Sequence, residues 1–419
     1  MHRQPNATVI VKRSTKSGGN RARARPQDRR MDKGSSTTLI HSGEGQFGHV
    51  NSLTTPIFET TTYVFESADA VRKYNEGGSG HFLYSRYENP TVMSAEAKIA
   101  AADGAERALL FGSGMAASST LLMALLEAGD EVVCSAAVYG GTVHLLTDLL
   151  SRFGIVTRLV TVDDLACPDT LITDRTRLFW FESPNNPHLR CVDVRRVAAA
   201  CRARGVTSVI DNTFASPINQ RPLEMGVDLC MQSASKYLNG HSDVTAGVVS
   251  GRHQLIERVE LARRKLGGIL DPQAAYALGR ALKTLPLRMA RHNSNGMAVA
   301  TALEGHPRVT RVYYPGLASH PDHAIAKEQM TGFGGMVCID VEGGEAGACR
   351  TFDRLKIIKR AVSLGGAESV CSLPFLTSQW GHSDEQLAAA GITKGMMRVS
   401  IGLEDPDDLI ADLKQALAQ

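Results

Sequence analysis

Between residues 94 and 232 two periodicities take turns along the chain. SAEAKIAAAD (94–103) has a helical composition, ERALLF is a short apolar strand, and MAASSTLLMALLEAG reads as a helix closed by Gly129. DEVVCS is then a strand, VHLLTDLLSRFG a helix ending at Gly154, and IVTRLVTV another strand. TRLFWFES, VRRVAAACRARG, TSVIDNTF and DLCMQSA continue the series. Strands alternating with helices imply βαβ units, and therefore an α/β fold on a mostly parallel central sheet with right-handed crossovers. From about residue 255 the pattern changes to long helices, LIERVELARRKLGG and PQAAYALGRALKTLPLRMARHNSNGMAVATALEG. Mixed segments VTRVYYPG, GGMVCIDV and MMRVSIGL and a last helix DPDDLIADLKQALAQ follow, which is the signature of a smaller C-terminal α+β domain. No internal repeat is visible.

A chain of 419 residues with 43% hydrophobic content can bury a large core, in one large or two fused domains. Its longest apolar stretches are broken by Gly and Ser, so no membrane partner is expected. Eight cysteines are scattered without a CxxC pair and without a secretory leader, which predicts reduced thiols and a cytoplasmic location. Thirteen histidines show no HExxH or close Cys/His grouping, and no metal site is expected. The net charge of +3 is uneven: residues 1–33 hold ten Lys/Arg against two Asp, and the remainder 36 basic against 41 acidic residues. That basic tail reads as disordered. It fits a targeting peptide, a polyanion-binding segment, or codons upstream of a true start at Met31, and no function rests on it. No nucleic-acid partner is expected.

One lysine raises a chemical question. In QSASKYLNGHSD (232–243), Lys236 sits among small hydroxyl residues just past a buried strand. A lysine becomes a nucleophile only when burial or a nearby cation lowers its pKa from about 10.4. Alone, the motif equally describes a surface lysine. Asp211, in TSVIDNTF, falls at the carboxyl end of a parallel strand, where α/β folds place ligand groups. It could be a helix cap, or it could pair with a protonated ring nitrogen, as a carboxylate does beside the lysine of pyridoxal phosphate (PLP) enzymes. FGSGMAASSTLL is a strand, a glycine turn and a helix start, so the N–H groups of Gly114 and Met115 could hold a phosphate. An ordinary glycine loop would look the same. Tyr139, in AAVYGGT, lies at the same end of the sheet and could stack on a planar ring.

Together these residues amount to a family resemblance. YSRYENPT (84–91), GSGMAA (112–117), VYGGT (138–142), ESPNNP (182–187), IDNTFASP (210–217), SASKYLNGHSD (233–243), SLGG (363–366) and RVSIGLED (398–405) run collinearly as in the Cys/Met-metabolism PLP family. So does the long segment YYPGLASHPDHAIAKEQMTGFGGM (313–336). The likeness extends over residues 36–419. It resembles cystathionine γ-synthase, cystathionine γ-lyase, methionine γ-lyase and the O-acylhomoserine sulfhydrylases.

The resemblance implies the fold-type I PLP-dependent transferase architecture, with an arm at 34–80, a large PLP-binding domain at 81–270 and a small domain at 271–419. It also implies a homotetramer of active dimers. Lys236 matches the Schiff-base lysine and Asp211 the pyridinium partner. Gly114, Met115, Ser233 and Ser235 match the phosphate binders, and Tyr84 with Arg86 the pair that reaches the neighbouring subunit's phosphate. Tyr139 matches the stacking tyrosine and Asn186 a residue near the ring hydroxyl. Arg398 and Ser363 match the substrate α-carboxylate site. Ser235 replaces the more usual threonine and keeps the hydroxyl.

The reaction this implies is γ-elimination or γ-replacement on a homoserine-derived or sulfur amino acid. Lys236 would serve as the mobile base, and Tyr139 is a candidate acid or base. Two markers of the leaving group conflict. Val362 stands where cystathionine-handling relatives often carry an acid, as in methionine γ-lyases, whereas Gly141 stands where those lyases typically carry cysteine. Gln379 and Trp380 depart from the family's histidine region near the substrate mouth, which leaves room for a non-sulfur leaving group. Glu59 of the arm is a further candidate substrate contact.

Overall fold

The computed structural model describes residues 34–45, 51–78, 80–381 and 383–418. The basic segment 1–33, with its targeting, polyanion and Met31 readings, lies outside them. Ser35–Gln419 forms one unit built on two sheets.

The larger sheet contains β1 (Arg107–Phe111), β2 (Glu131–Ser135), β3 (Val156–Val160), β4 (Thr176–Glu182), β5 (Thr207–Asp211), β6 (Leu229–Gln232) and β7 (Gly247–Gly251). Their order across the sheet is β1-β7-β6-β5-β4-β2-β3. Ladders from β6 through β3 are parallel, and β7 runs antiparallel to both of its neighbours. A parallel return needs a crossover, usually a helix. The 233–246 connection has none, so the chain comes back antiparallel.

Neighbouring residues of these strands serve opposite faces. Val132, Trp180 and Val209 pack into one buried cluster, while Val133, Phe179, Phe181 and Ile210 pack into another. With helices over both clusters, the strands read as continuous apolar runs. Each fully buried aromatic or aliphatic side chain contributes about 1.5–3 kcal/mol. The second sheet has β8 (Val309–Tyr313), β9 (Met336–Val341), β10 (Lys359–Arg360), β11 (Val370–Ser372) and β12 (Met396–Ser400), in the order β10-β11-β12-β9-β8. It is antiparallel except for β10–β11, and the helices Leu285–Leu303, Gly344–Arg354 and Pro406–Leu417 bury residues against it.

Several boundaries differ from the sequence expectation. The long helix after residue 271 is two, Pro272–Leu282 and Leu285–Leu303, because Pro286 has no N–H with which to continue the first. The helix before Gly129 stops at Leu125, and Asp130 Oδ2 accepts the Glu127 N–H at 2.8 Å in the turn beyond it. The segment that ends at Gly154 is α-helical only over Gly140–His144, then widens to a π turn and tightens to a 3-10 turn. β7 was not predicted, since two of its five residues are glycines. Gly247 is required there: a Cβ would run into the Ser113 carbonyl.

Candidate active site

The parallel strands end on one edge, and their last residues define the floor of a site. Asp211 ends β5 and is buried. Its Oδ1 accepts from the Thr213 N–H at 3.0 Å and the Thr213 hydroxyl at 2.5 Å. Thr213 Oγ1 in turn accepts the Ser233 N–H at 2.8 Å, which ties the carboxylate to the turn carrying Lys236. Burial raises the Asp211 pKa, and the two Thr213 bonds oppose the rise. Among the described residues no basic side chain pairs with it. A buried carboxylate without a cation is costly, so this one is suited to a cationic ring nitrogen.

Lys236 stands on the turn over 233–240, closed by the Gly240 N–H on the Lys236 carbonyl at 2.7 Å with Gly240 at φ +71°. Behind the turn lies Arg288. Its guanidinium donates to the carbonyls of Tyr237 (2.6 Å), Leu238 (3.2 Å) and Ala281 (3.0 Å). Lys236 Nζ donates to Ser363 Oγ at 2.7 Å. Burial, and secondarily the Arg398 charge, lower the Lys236 pKa, the shift a nucleophilic amine needs. Ser363 sits at φ +86°, a left-handed conformation that costs a non-glycine residue about 1–3 kcal/mol. Its carbonyl accepts from Arg398 Nη2 at 3.4 Å, and Arg398 Nη1 donates to Asn186 Oδ1 at 2.8 Å. Arg398 comes from β12, so the second sheet supplies the cation and the first sheet the amine. A guanidinium held by neutral partners can take a substrate carboxylate.

The helix Gly114–Leu125 opens toward the same edge. Ser113 Oγ caps it by accepting the Ala116 N–H at 3.0 Å, which leaves the first N–H groups at Gly114 and Met115 for an anion. A Cβ on Gly114 would lie 3.2 Å from Ser233 Cβ, so the helix start and the lysine turn touch. Ser235 is held on the turn, its Oγ accepting the Ala246 N–H at 2.9 Å. Tyr139 is 51% exposed, and its ring crosses Gly141. A Cβ there would come 2.5 Å from Tyr139 Cε1 and 3.1 Å from Met115 Sδ.

One residue of the site went unassigned in the sequence. Glu182 ends β4, is buried, and accepts the Tyr139 N–H on Oε2 at 2.8 Å. Burial first, and then the Asp211 charge, push its carboxyl well above the ordinary range. Its signal was positional: it closes its strand as Asp211 closes the next.

Of the other predicted residues, Tyr84, Arg86, Glu59, Gln379 and Trp380 make no hydrogen bond to this cluster among the described residues, and Val362 touches it only through its neighbour Ser363. Arg86 donates through Nη1 to the Arg264 carbonyl and stacks 4.8 Å from the Tyr87 ring and 5.5 Å from that of Tyr84. Tyr84 itself forms an antiparallel bridge with Thr62. Glu59 is exposed. Val362, 62% exposed, adjoins Ser363, and Trp380, 73% exposed, follows Gln379, whose N–H is bonded to the Pro374 carbonyl at 2.9 Å. Among the described residues no group of three or more His, Cys, Asp or Glu could hold a metal, and no helix is long and apolar enough to cross a membrane.

A lysine of lowered pKa, a cation-seeking carboxylate, a glycine helix start and a stacking tyrosine on one sheet edge define a PLP-dependent enzyme of fold type I. The chain belongs to the family described as Cys/Met metabolism PLP-dependent enzyme, which matches residues 36–418, and its cofactor is pyridoxal phosphate. It is 42% identical to cystathionine gamma-synthase 1, chloroplastic, of Nicotiana tabacum over 91% of this chain and 71% of that one. With L-methionine gamma-lyase of Pseudomonas putida it shares 41% identity over 92% of this chain and 97% of the relative. The crystal structure of metB from Corynebacterium glutamicum superposes with a TM-score of 0.85 at 36% identity, covering 92% and 98% of the two chains.

Proposed function

We propose that this chain catalyses γ-elimination or γ-replacement on a homoserine-derived or sulfur amino acid, as a trans-sulfuration enzyme like cystathionine γ-synthase or γ-lyase. The observation that carries it is the double hold on Ser363: Lys236 Nζ bonds its hydroxyl, and Arg398 its carbonyl. That places an amine able to move a proton beside a guanidinium able to seat an α-carboxylate. Pyridoxal phosphate supplies an electron sink for the carbanion chemistry. Asp211 would keep the ring nitrogen protonated, and Gly114, Met115, Ser233 and Ser235 would hold the phosphate. Arg398, oriented by Asn186, binds the substrate carboxylate. Lys236 Nζ, neutral once deprotonated, takes the proton from the substrate Cα, and loss of a second proton from Cβ lets the γ-substituent depart with its bonding electrons. The Tyr139 hydroxyl assists as acid or base at the leaving group.

A methionine γ-lyase or O-acylhomoserine sulfhydrylase activity is the second reading, favoured by the exposed apolar Val362 beside Ser363. No carboxylate stands there to select a distal ammonium. The exposed Trp380 extends this reading to a non-sulfur leaving group. The test is a panel of cystathionine, methionine, homocysteine, O-acetyl- and O-succinylhomoserine and nitrogen-substituted homoserine analogues, with 2-oxoacid and thiol products quantified with and without cysteine. Product without added thiol identifies a lyase, and product only with thiol a synthase. No turnover of any member would overturn the proposal.

The same reading assigns an arm at 34–80, a PLP domain at 81–270 and a small domain at 271–419, in a homotetramer whose Tyr84 and Arg86 serve the neighbouring subunit. Support comes from the segment 51–66, where Leu53 and Val64 are 92% and 93% exposed and have no cover among the described residues. A cytoplasmic location is part of the proposal, supported by eight cysteines that all stand as free thiols.

A further inference from the structure

Glu182 has no role in the chemistry assigned above, yet it lies at the centre of the site. In the β4–β5 ladder it is paired Cα to Cα with Asp211. Side chains at paired positions of parallel strands leave the same face, with strands about 4.8 Å apart. Two carboxyls therefore stand side by side in a dry setting, 3% and 5% exposed. Their partners differ. Asp211 receives an N–H and an O–H from Thr213, and Glu182 receives one N–H, from Tyr139. Arg398 also bears on Glu182 electrostatically, but its guanidinium bonds go to Asn186 and Ser363. Like charges this close and this buried do not both ionise. The better-bonded carboxyl keeps the charge, and the other keeps a proton.

We propose that Glu182 is a positioning residue: a neutral carboxyl that fixes the backbone of Tyr139, and so the ring lying over Gly141, while leaving the negative charge of the strand ends to Asp211. This deepens the assignment of Tyr139 and Asp211 to the cofactor ring and rests on it. Glu182 thereby does two things that a carboxylate could not combine. It accepts the Tyr139 N–H, and it adds no second anion opposite a singly charged ring nitrogen.

The test uses the full-length protein, first stripped of cofactor. Infrared difference spectra of parent against Glu182→Gln at neutral pH should contain the C=O band of a protonated carboxyl, and in Asp211→Asn that band should titrate away at a lower pH than in the parent, because the neighbouring charge is gone while burial remains. Absence of the band in the parent overturns the shared charge. Titrating pyridoxal phosphate into the apoprotein should give Glu182→Gln an affinity within about threefold of the parent and Glu182→Ala an affinity weaker by roughly tenfold. A Gln variant as weak as the Ala variant overturns the neutral state, and an Ala variant at parental affinity overturns the positioning. Should Glu182→Ala not fold, the infrared and Gln arms still decide. Tyr139→Ala separates the two readings: unchanged cofactor affinity and circular dichroism with the infrared band intact overturns the ring assignment and leaves the shared charge standing.

Discussion

Replacing Arg288 by methionine should release the turn that carries Lys236. Arg288 is 6% exposed, has no acidic partner among the described residues, and burial lowers its pKa to about 10. What holds it is three carbonyls, two of them on the residues directly after Lys236, and the Thr284 hydroxyl at 3.4 Å. Methionine fills the volume and donates nothing. The Ala281 carbonyl keeps the Thr284 N–H (3.2 Å) and hydroxyl (3.1 Å), but the Tyr237 and Leu238 carbonyls would be left unpaired at about 1–3 kcal/mol each, or roughly 2–6 kcal/mol together. Against that stands the desolvation of an unpaired cation, several kcal/mol, which the variant no longer bears. The expected net loss is about 1–3 kcal/mol, a sizeable share of the roughly 5–15 kcal/mol that holds a domain together. Urea unfolding of the apoprotein should read this as a lower midpoint at unchanged slope. Cofactor titration should weaken in parallel, because the amine loses its fixed approach to Ser363. Arg288→Lys keeps the charge but cannot span the three acceptors from one ammonium, and should fall between parent and methionine variant. A methionine variant within about 0.5 kcal/mol of the parent, with parental cofactor affinity, would refute the reasoning.

Three further outcomes are expected. Lys98 is buried against the carbonyls of Leu39 and Ser42, and burial lowers its pKa from 10.5 to about 8. Between those values the unfolded chain keeps a proton that the folded one has lost, so this group makes stability rise with pH from about 8 to 10.5. Lys98→Met should flatten that rise in thermal unfolding measured across the window. Gly141→Ala should push the Tyr139 ring off its seat at an overpacking cost of about 1–3 kcal/mol, seen as cofactor affinity reduced about five- to a hundredfold and an altered cofactor circular dichroism band. Lys236→Ala should abolish borohydride fixation of the cofactor and lower turnover by about 10²–10⁴-fold. Cofactor recovered by peptide mapping on any other lysine would contradict the assignment.

The residues legible in the sequence are those whose meaning comes from position along a strand–helix alternation. Position put Asp211 and Lys236 near the carboxyl ends of strands and Gly114 at the turn before a helix, while their roles came from the family resemblance. Arg288 was invisible because an arginine in RMARHNSN reads as a solvated face, and its burial depends on a turn 50 residues away in sequence. Glu182 was hidden for a related reason: a carboxylate closing an apolar run looks like a surface residue until the neighbouring strand is known. Ser363 gives no hint of its left-handed backbone, since serine rather than glycine occupies it. The two-helix break at Thr284 was readable from Pro286, and the apolar pattern on both sides masked it.

β7 sets the timetable of the site. β1 pairs with β7 and with no other described strand, so the helix start that cradles the phosphate can dock only after a segment ending at Gly251 has been made. While the ribosome is still short of that point, Asp211 and Glu182 can already share a parallel ladder, but β1 has no berth. Long-range closure of this kind is slow relative to local pairing. Completion of the phosphate cradle therefore waits on β7, and until then the apolar residues of β1 have only the helices Pro90–Asp103 and Gly114–Leu125 to pack against.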